Sequence, residues 1–247
     1  VCALRDDGEA ECWGKNTKGE TSEEDGPFTQ LAAGWLTTCA VGEDKQVTCW
    51  GSNDGLQADP PSDNFRQVSV GYSFGCGVRS GGTLLCWGQS DADIKSETPK
   101  GLFKQVTAGQ LHACAIDEDN GVRCWGFSGN DQAEEPSGSF KQIDAGDEFN
   151  CGLKTDNSVH CWGKDGSGQV SDAPDGEFKE LCAGSDHACA LGRDGKVECW
   201  GSDVDGESTD VPEGEFSHVA CGLHYTCAIA EDSKTISCWG DPEQEKP

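Results

Sequence analysis

The chain has 247 residues, of which 45 are acidic and 18 basic, and its formal net charge is −27. This charge repels phosphate backbones and anionic membranes, so we expect no nucleic-acid partner, and no apolar run reaches the roughly 18 residues of a membrane-spanning helix. Sixteen cysteines without any Cys-x-x-Cys pattern indicate an oxidising compartment. Because the sequence contains no methionine, Val1 is not an initiator residue, and we expect a chain processed or excised from a longer product.

Cysteine pairs recur along the chain with a period of 37 or 38 residues. In each pair, nine or ten residues separate the first cysteine from a Cys-Trp-Gly sequence. In chain order the pairs are Cys2 and Cys12, Cys39 and Cys49, Cys76 and Cys86, Cys114 and Cys124, Cys151 and Cys161, Cys189 and Cys199, and Cys227 and Cys238. Such a period is typical of repeat architectures in which each unit needs its neighbours to bury its apolar surface.

Each pair predicts a β-hairpin closed by a disulfide. Short strand patterns flank a turn rich in Gly and Asp, as at Asp6-Asp7-Gly8 in the first copy. Residues that face each other across an antiparallel ladder lie about 4.5 to 5.5 Å apart at Cα, within the range that a disulfide tolerates. Each of the seven predicted bridges closes a loop of roughly ten residues, worth about 2 to 3 kcal/mol in the chain-entropy model.

Six phenylalanines, each six residues before a glycine, predict a further strand that precedes hairpins two to seven: Phe28, Phe65, Phe103, Phe140, Phe178 and Phe216. The fold class that follows is all-β, a seven-bladed β-propeller with one C-x9/10-C-W-G hairpin disulfide per blade. We expect a single propeller over residues 1–240, with repeats that start near residues 1, 28, 65, 103, 140, 178 and 216, and a tail or linker over residues 241–247. The first repeat lacks this strand, which we expect upstream of Val1.

The copy Cys2-Ala-Leu-Arg-Asp-Asp-Gly-Glu-Ala-Glu-Cys-Trp-Gly14 and the motif Ala108-Gly-Gln-Leu-His-Ala-Cys-Ala-Ile116 resemble the regulator-of-chromosome-condensation repeat superfamily over residues 1–240. The paired cysteines are similar to the crinkly-type repeats of plant receptor-kinase ectodomains, and the Gly-x-x-x loops are similar to those of the propeller-type β-lactamase inhibitory protein. The resemblance implies a seven-bladed propeller and protein binding rather than one activity. Nuclear members that act on the GTPase Ran or on chromatin are poor analogues of this acidic, cysteine-rich chain.

Most aromatic residues that the repeat leaves unexplained lie in four-residue windows between the repeated glycine and the first cysteine. Of six such aromatics, five lie in windows and Phe127 lies elsewhere. A propeller places equivalent positions at the same end, so we expect these side chains to ring one mouth, where aromatic loop residues concentrate binding energy. The predicted binding residues are Trp35, Leu36, Tyr72, Phe74, Leu111, His112, Glu148, Phe149, Asp186, His187, His224 and Tyr225. For the residues two positions before the cysteine, a half-buried packing slot is the alternative.

The sequence gives no specific indication of a catalytic centre, a cofactor or a metal. His112 and His187 share one repeat slot, which favours a structural role, and the many carboxylates lie close together by chance. Segments such as Asp165-Gly-Ser-Gly168 and Asp203-Val-Asp-Gly-Glu207 have some features of calcium loops, but neither completes the twelve-residue pattern with its terminal Glu. We therefore predict no enzyme, and a specific Ca²⁺ site stays open.

Cys182 and Cys221 lie outside the repeated pairs, in the predicted inner strands of neighbouring blades. Inner strands around a propeller axis are close together, so a bridge between Cys182 and Cys221 is plausible. The two residues occupy positions offset by one, which counts against the bridge because adjacent strand positions point to opposite faces. Two buried free thiols are the alternative.

Together these patterns favour a monomeric, secreted or extracellular, non-catalytic module that captures a protein or peptide on its aromatic-ringed mouth. A carbohydrate-binding, lectin-like propeller is the alternative, since aromatic rings also stack on sugars. The windows differ from blade to blade, however, whereas a lectin is expected to repeat its pocket. A structural protein of an acidic matrix is a further, weaker alternative.

Overall fold

The computed structural model describes residues 1–22, 24–89 and 93–241 as β-strands joined by turns and loops. The strands are β1 (Cys2–Leu4), β2 (Ala10–Cys12), β3 (Phe28–Ala33), β4 (Thr37–Gly42), β5 (Val47–Gly51), β6 (Phe65–Val70), β7 (Phe74–Arg79), β8 (Leu84–Gly88), β9 (Phe103–Ala108), β10 (His112–Asp117), β11 (Val122–Gly126), β12 (Phe140–Ala145), β13 (Phe149–Lys154), β14 (Val159–Gly163), β15 (Phe178–Ala183), β16 (His187–Gly192), β17 (Val197–Gly201), β18 (Phe216–Cys221), β19 (Tyr225–Ala230) and β20 (Ile236–Gly240). Within those ranges there is no helix with the length and apolarity needed to cross a bilayer. Except for Asp241, the predicted tail lies outside the described residues.

The strands form six three-stranded antiparallel sheets and one two-stranded sheet. Each three-stranded sheet contains an inner strand that begins with one of the six phenylalanines, a middle strand with the first cysteine and an outer strand with Cys-Trp-Gly. The first sheet contains β1 and β2, which correspond to the middle and outer strands of the others. The seven sheets are the blades of the predicted propeller, and the six complete blades have three strands each.

By its internal contacts the chain divides into two compact units. Unit 1 covers residues 1–118 and 123–127, and unit 2 covers residues 119–122 and 128–247. The first four sheets lie in unit 1, apart from Val122 at the start of β11, and the last three lie in unit 2.

All seven hairpin disulfides predicted from the spacing are present. In the second sheet Cys39 and Cys49 are direct partners across β4 and β5, with their Cα atoms 4.1 Å apart. The spacing of ten residues sets this register because the tight turn lies midway between the two cysteines.

The core lies on both faces of the blades. The inner-strand Phe65 is fully buried and packs 5.7 Å, centroid to centroid, from Trp87 on the outer strand of its own sheet. Its ring occupies the space beside Gly77, where a Cβ would lie 2.5 Å from the ring. The small residue after the first cysteine therefore makes room for the phenylalanine.

Side chains of the inner strands link neighbouring sheets within each unit. Gln67 donates from Nε2 to the carbonyl of Val106 and accepts from the amide of Val106, both at 2.8 Å. At the fifth position of the same strand, Ser69 Oγ accepts from the amide of Ala108, the sixth residue of β9, at 3.0 Å. In unit 2, Gln142 and Asp144 make the corresponding bonds to β15. The fifth position of one inner strand therefore faces the sixth position of the next.

This relation between neighbouring inner strands explains the eighth disulfide. Cys182 is the fifth residue of β15 and Cys221 is the sixth residue of β18, and they are bonded, with Cα atoms 5.4 Å apart. The offset by one residue, which counted against the bridge in the sequence, is the offset that the hydrogen bonds of Ser69 and Asp144 also use. The alternative of two free thiols is excluded.

Candidate functional site

The ladder of each hairpin continues beyond its strands and fixes one end of every complete blade. The residue after Trp-Gly donates its amide hydrogen to the carbonyl of the second window residue, at 2.7 to 3.0 Å in the six complete blades. The donor and acceptor pairs are Ser52 and Leu36, Gln89 and Ser73, Phe127 and Leu111, Lys164 and Glu148, Ser202 and Asp186, and Asp241 and His224. The four residues of each window and the residue after Trp-Gly thus form one end of their blade. We call this end of the blade the window end.

In unit 1 the window ends carry an exposed aromatic pair. Trp35 and Tyr72, from neighbouring blades, meet edge to face with their ring centroids 4.9 Å apart. Their exposed fractions are 40% and 45%, although both are large and apolar. The backbones of the two windows approach closely because both carry glycine, and a Cβ on Gly34 would lie 2.8 Å from the carbonyl oxygen of Gly71. Two exposed aromatic rings in contact are the kind of feature that marks an interaction surface.

Two further exposed apolar residues lie at the window ends of unit 1. Phe127 is 46% exposed, and its amide bonds to the carbonyl of Leu111, which places it in the layer that the windows form. Leu56 is also exposed, and the carbonyl of its neighbour Gly55 accepts a hydrogen bond from the amide of Gln89. We call Trp35, Leu56, Tyr72 and Phe127 the apolar surface. Phe127 lies outside the windows in the sequence, but extending the hairpin register by one pair predicts its position at the window end.

Four of the predicted binding residues are fully buried: Phe74, His112, Phe149 and His187. Each belongs to the slot two positions before the first cysteine. In three of them the side chain lies beneath the window glycine of its own blade, so a Cβ on Gly71 would lie 2.6 Å from the ring of Phe74. Side chains without exposed area offer nothing to a partner, so the structure favours the packing alternative for this slot.

Tyr225 occupies the same slot in the last blade and packs against Gly222. It is partly buried, and burial raises the pKa of its phenol to about 12. Leu36 and Leu111 are half-buried, and His224 is exposed. The predicted residues therefore divide by window position: Trp35 and Tyr72, at the first position, are exposed, while the residues at the third position are mostly core.

In unit 2 the window ends are polar and charged. Lys164 Nζ lies 3.0 Å from Glu148 Oε2 and 3.3 Å from Asp186 Oδ1, so it ties together two predicted binding residues of neighbouring blades. The bond to Glu148, followed by the charge of Asp186, raises the pKa of Lys164 above its usual value. Gln169 also donates to Asp186, at 3.1 Å. Lys164 was not among the predicted binding residues. It is the residue after Trp-Gly, so the same extension of the hairpin register predicts its position.

The carboxylates of the two segments with calcium-loop features bind their own loops. Asp165 Oδ1 accepts from the amides of Val170 and Ser171 at 2.9 and 3.0 Å. Asp203 Oδ1 accepts from the amides of Ser208 and Thr209 in the same way. The backbone hydrogen bonds lower the pKa of Asp165. For Asp203 the pKa is lowered first by a hydrogen bond from the Thr209 hydroxyl to Oδ2, at 2.8 Å, and then by the backbone bonds.

The comparisons with known proteins agree with the repeat pattern. The family model described as "Regulator of chromosome condensation (RCC1) repeat" matches residues 28–55, 65–92, 103–132, 140–169 and 178–207. A comparison with curated protein sequences gives no match.

Solved structures with the same fold include two plant receptor-kinase ectodomains. The ectodomain of the Physcomitrella patens receptor kinase CR4 is 27% identical, with a TM-score of 0.76, over 86% of this chain and 63% of its own length. The CRINKLY WD40 ectodomain of the Arabidopsis thaliana receptor kinase ACR4 is 28% identical, with a TM-score of 0.75, over 86% of this chain and 85% of its own. This chain thus spans less than two thirds of the Physcomitrella ectodomain.

Prp20p from Saccharomyces cerevisiae, whose structure was described with its binding to Gsp1p and histones, is 19% identical, with a TM-score of 0.80, over 94% of this chain and 81% of its own. At this identity the likeness concerns the fold alone. These findings confirm the predicted seven-bladed propeller and the resemblance to crinkly-type repeats. The chain belongs to the regulator of chromosome condensation (RCC1) repeat family.

Proposed function

We propose that the chain is a non-catalytic extracellular module that binds a protein or peptide through the apolar surface of unit 1. The observation that carries the proposal is the contact between Trp35 and Tyr72, both exposed, on a protein with a formal charge of −27. Tryptophan and tyrosine dominate the energetics of protein interfaces because they bury a large area at a low cost in conformational entropy.

An extracellular location is supported by eight disulfides and by the similarity to two receptor-kinase ectodomains. Disulfides persist in oxidising compartments and are rare in the cytosol. A receptor-like role for the protein to which this chain belongs is part of the proposal.

The acidic composition of the chain favours a partner with both apolar and basic groups. Apolar side chains would pack on the two rings, and lysine or arginine residues would be attracted by the net charge of −27 that the chain carries. We therefore expect the bound segment to combine aromatic or aliphatic anchors with flanking positive charge.

Selection from a displayed peptide library tests this proposal. Peptides selected on the wild-type chain are expected to lose at least about 30-fold in affinity for the double variant Trp35→Ala/Tyr72→Ala, since truncation of central aromatic residues costs about 2 kcal/mol or more. Val204→Ser, at a site that is 82% exposed in unit 2, is the matched control and should keep full affinity.

Selected peptides that bind the double variant as well as the wild type would refute the apolar surface as the binding site. A glycan array run on the same three proteins tests the lectin alternative. Glycan binding that disappears with the two aromatic residues, without any selected peptide, would replace the peptide by a carbohydrate as the ligand.

A further inference from the structure

The junction between the sheets of β15 and β18, in unit 2, departs from the pattern of the other junctions. Where β12 meets β15, Gln142 binds both backbone groups of Leu181, and Asp144 accepts from Ala183. Where β15 meets β18, the glutamine position holds Glu180, which pairs with His218 Nδ1 at 3.3 Å. The fifth residue of β15, Cys182, is joined to the sixth residue of β18, Cys221, by a disulfide instead of a hydrogen bond. A covalent bond thus stands where hydrogen bonds join the neighbouring pair of sheets.

A second disulfide lies close to this one. Cys182 faces Cys189 directly across β15 and β16, and Cys189 is bonded to Cys199 in the hairpin of that blade. The sulfur atoms of Cys182, Cys189 and Cys221 all lie within 4.8 Å of one another. In the preceding blade the position of Cys182 is occupied by Asp144, so the hairpin disulfide there has no such neighbour.

The hydroxyl of Thr226 reaches both disulfides. Its Oγ1 lies 3.4 Å from Cys189 Sγ and 3.8 Å from Cys221 Sγ, and it also contacts His187 Nε2 at 2.8 Å. Thr226 therefore contacts Cys189 Sγ and Cys221 Sγ, one sulfur atom of each disulfide, and its hydroxyl helps to hold the two bonds beside each other.

The four cysteines differ in their access to solvent. Cys182 and Cys189, the inner pair, are 4% and 0% exposed. Cys221 and Cys199, at the two ends, are partly exposed. A thiol from solution can therefore approach the cluster at Cys221, and a thiol released at Cys199 becomes accessible on the outer strand of the blade.

We propose that these two disulfides form a thiol-exchange relay that replaces the bond between two sheets by a bond within one sheet. The thiolate of a small or peptide thiol attacks Cys221 Sγ, forms a mixed disulfide there and breaks the bond to Cys182, whose sulfur leaves as a thiolate. That thiolate attacks Cys189 Sγ, forms a Cys182–Cys189 bond and expels Cys199, which takes a proton from water. Two disulfides and one thiol are present before and after, so no further oxidant or reductant is needed.

The new bond is geometrically accessible because Cys182 and Cys189 are direct partners in an antiparallel ladder, as are the cysteines of the hairpin disulfides. Directly opposed residues have the Cα separation that a disulfide needs. The exchange leaves the β15–β18 junction without its covalent link. This relay goes beyond the proposed function and does not depend on the apolar surface.

Differential alkylation of the folded protein tests the relay. The protein is incubated with reduced glutathione as the probe thiol, trapped with an alkylating reagent and analysed by peptide mass spectrometry. The expected products are glutathione on Cys221, a Cys182–Cys189 cross-link and an alkyl label on Cys199. The matched control is Cys161 in the neighbouring blade, which we expect to be labelled at least tenfold more slowly.

The double variant Cys182→Ala/Cys221→Ala removes the entry point and the relaying thiolate. In this variant labelling of Cys199 should fall at least tenfold, while Cys161 labels as in the wild type. Labelling of Cys199 at the wild-type rate would overturn the relay, because direct attack on the hairpin would then account for it. Labels confined to Cys182 in the wild type, or no reaction in the folded protein, would also overturn it.

Discussion

Phe149→Ala is expected to lower the free energy of unfolding by about 3 to 5 kcal/mol, the range for truncating a buried phenylalanine. The side chain is fully buried and lies in a cluster with Leu153, Phe178 and Trp200. Its ring fills the space beneath Gly146, which has no side chain of its own, so truncation leaves a cavity that the backbone cannot close. Chemical denaturation with the disulfides intact measures the loss.

Trp35→Ala provides the contrast within the same set of predicted binding residues. Its side chain is exposed, so we expect a loss below about 1 kcal/mol, as for most surface substitutions. Phe149→Leu, which retains part of the packing, should fall between the two. If Phe149→Ala unfolds at the same denaturant concentration as the wild type, the third window position is not core, and its residues return to the candidate binding surface.

The fold could be predicted because the repeat imposes the same local solution seven times. The spacing from Cys39 to Cys49 fits a tight hairpin, and that register brings the two sulfur atoms together in every copy. The phenylalanine that precedes each window then has one available place, over the small residue after the cysteine. Each step uses contacts that are close in sequence, which is where pattern-based prediction is reliable.

The site was harder to predict because the windows are turns, where alternation of side chains no longer assigns a face. Trp35 is at the first window position and Phe74 at the third, yet the first is exposed and the second is fully buried. The two positions differ because the window glycine has no side chain and leaves a space beneath it. An aromatic ring at the third position fills this space, whereas a ring at the first position does not. That space depends on how the turn folds back, and the sequence does not encode it locally.

Relations between strands of different blades were also beyond the sequence. Cys182 and Cys221 looked incompatible because strand parity was applied to two strands that are not hydrogen-bonded partners in one sheet. In the structure the fifth residue of one inner strand faces the sixth residue of the next. The hydrogen bonds between Ser69 and Ala108 and between Asp144 and Ala183 show this relation, which the sequence alone does not. Phe127 was different, because one further step along a hairpin register that the sequence did support places it at the window end.

Acid is expected to destabilise the protein through His187 as the pH falls from about 6.5 to about 4. Burial lowers the pKa of this imidazole to about 4, against the opposing effect of Glu207 and with a smaller contribution from His224. In the unfolded chain the imidazole is protonated near its ordinary pKa of about 6.5, whereas in the folded chain it is protonated only near pH 4. Stability that is complete above pH 6.5 is therefore lost as the pH falls, by up to about 3 kcal/mol.

His187→Gln isolates this contribution, because glutamine does not titrate and its amide can still bond to Thr226. The carboxylates titrate in both proteins, so the informative quantity is the difference in unfolding free energy between wild type and variant from pH 7.5 to pH 4. We expect this difference to shift in favour of the variant by about 3 kcal/mol as the pH falls, since each pKa unit corresponds to about 1.4 kcal/mol. An NMR titration of the wild-type imidazole provides an independent measurement, and a ring that becomes protonated near pH 6 in the folded protein would contradict the prediction, because the folded and unfolded states would then bind the proton equally.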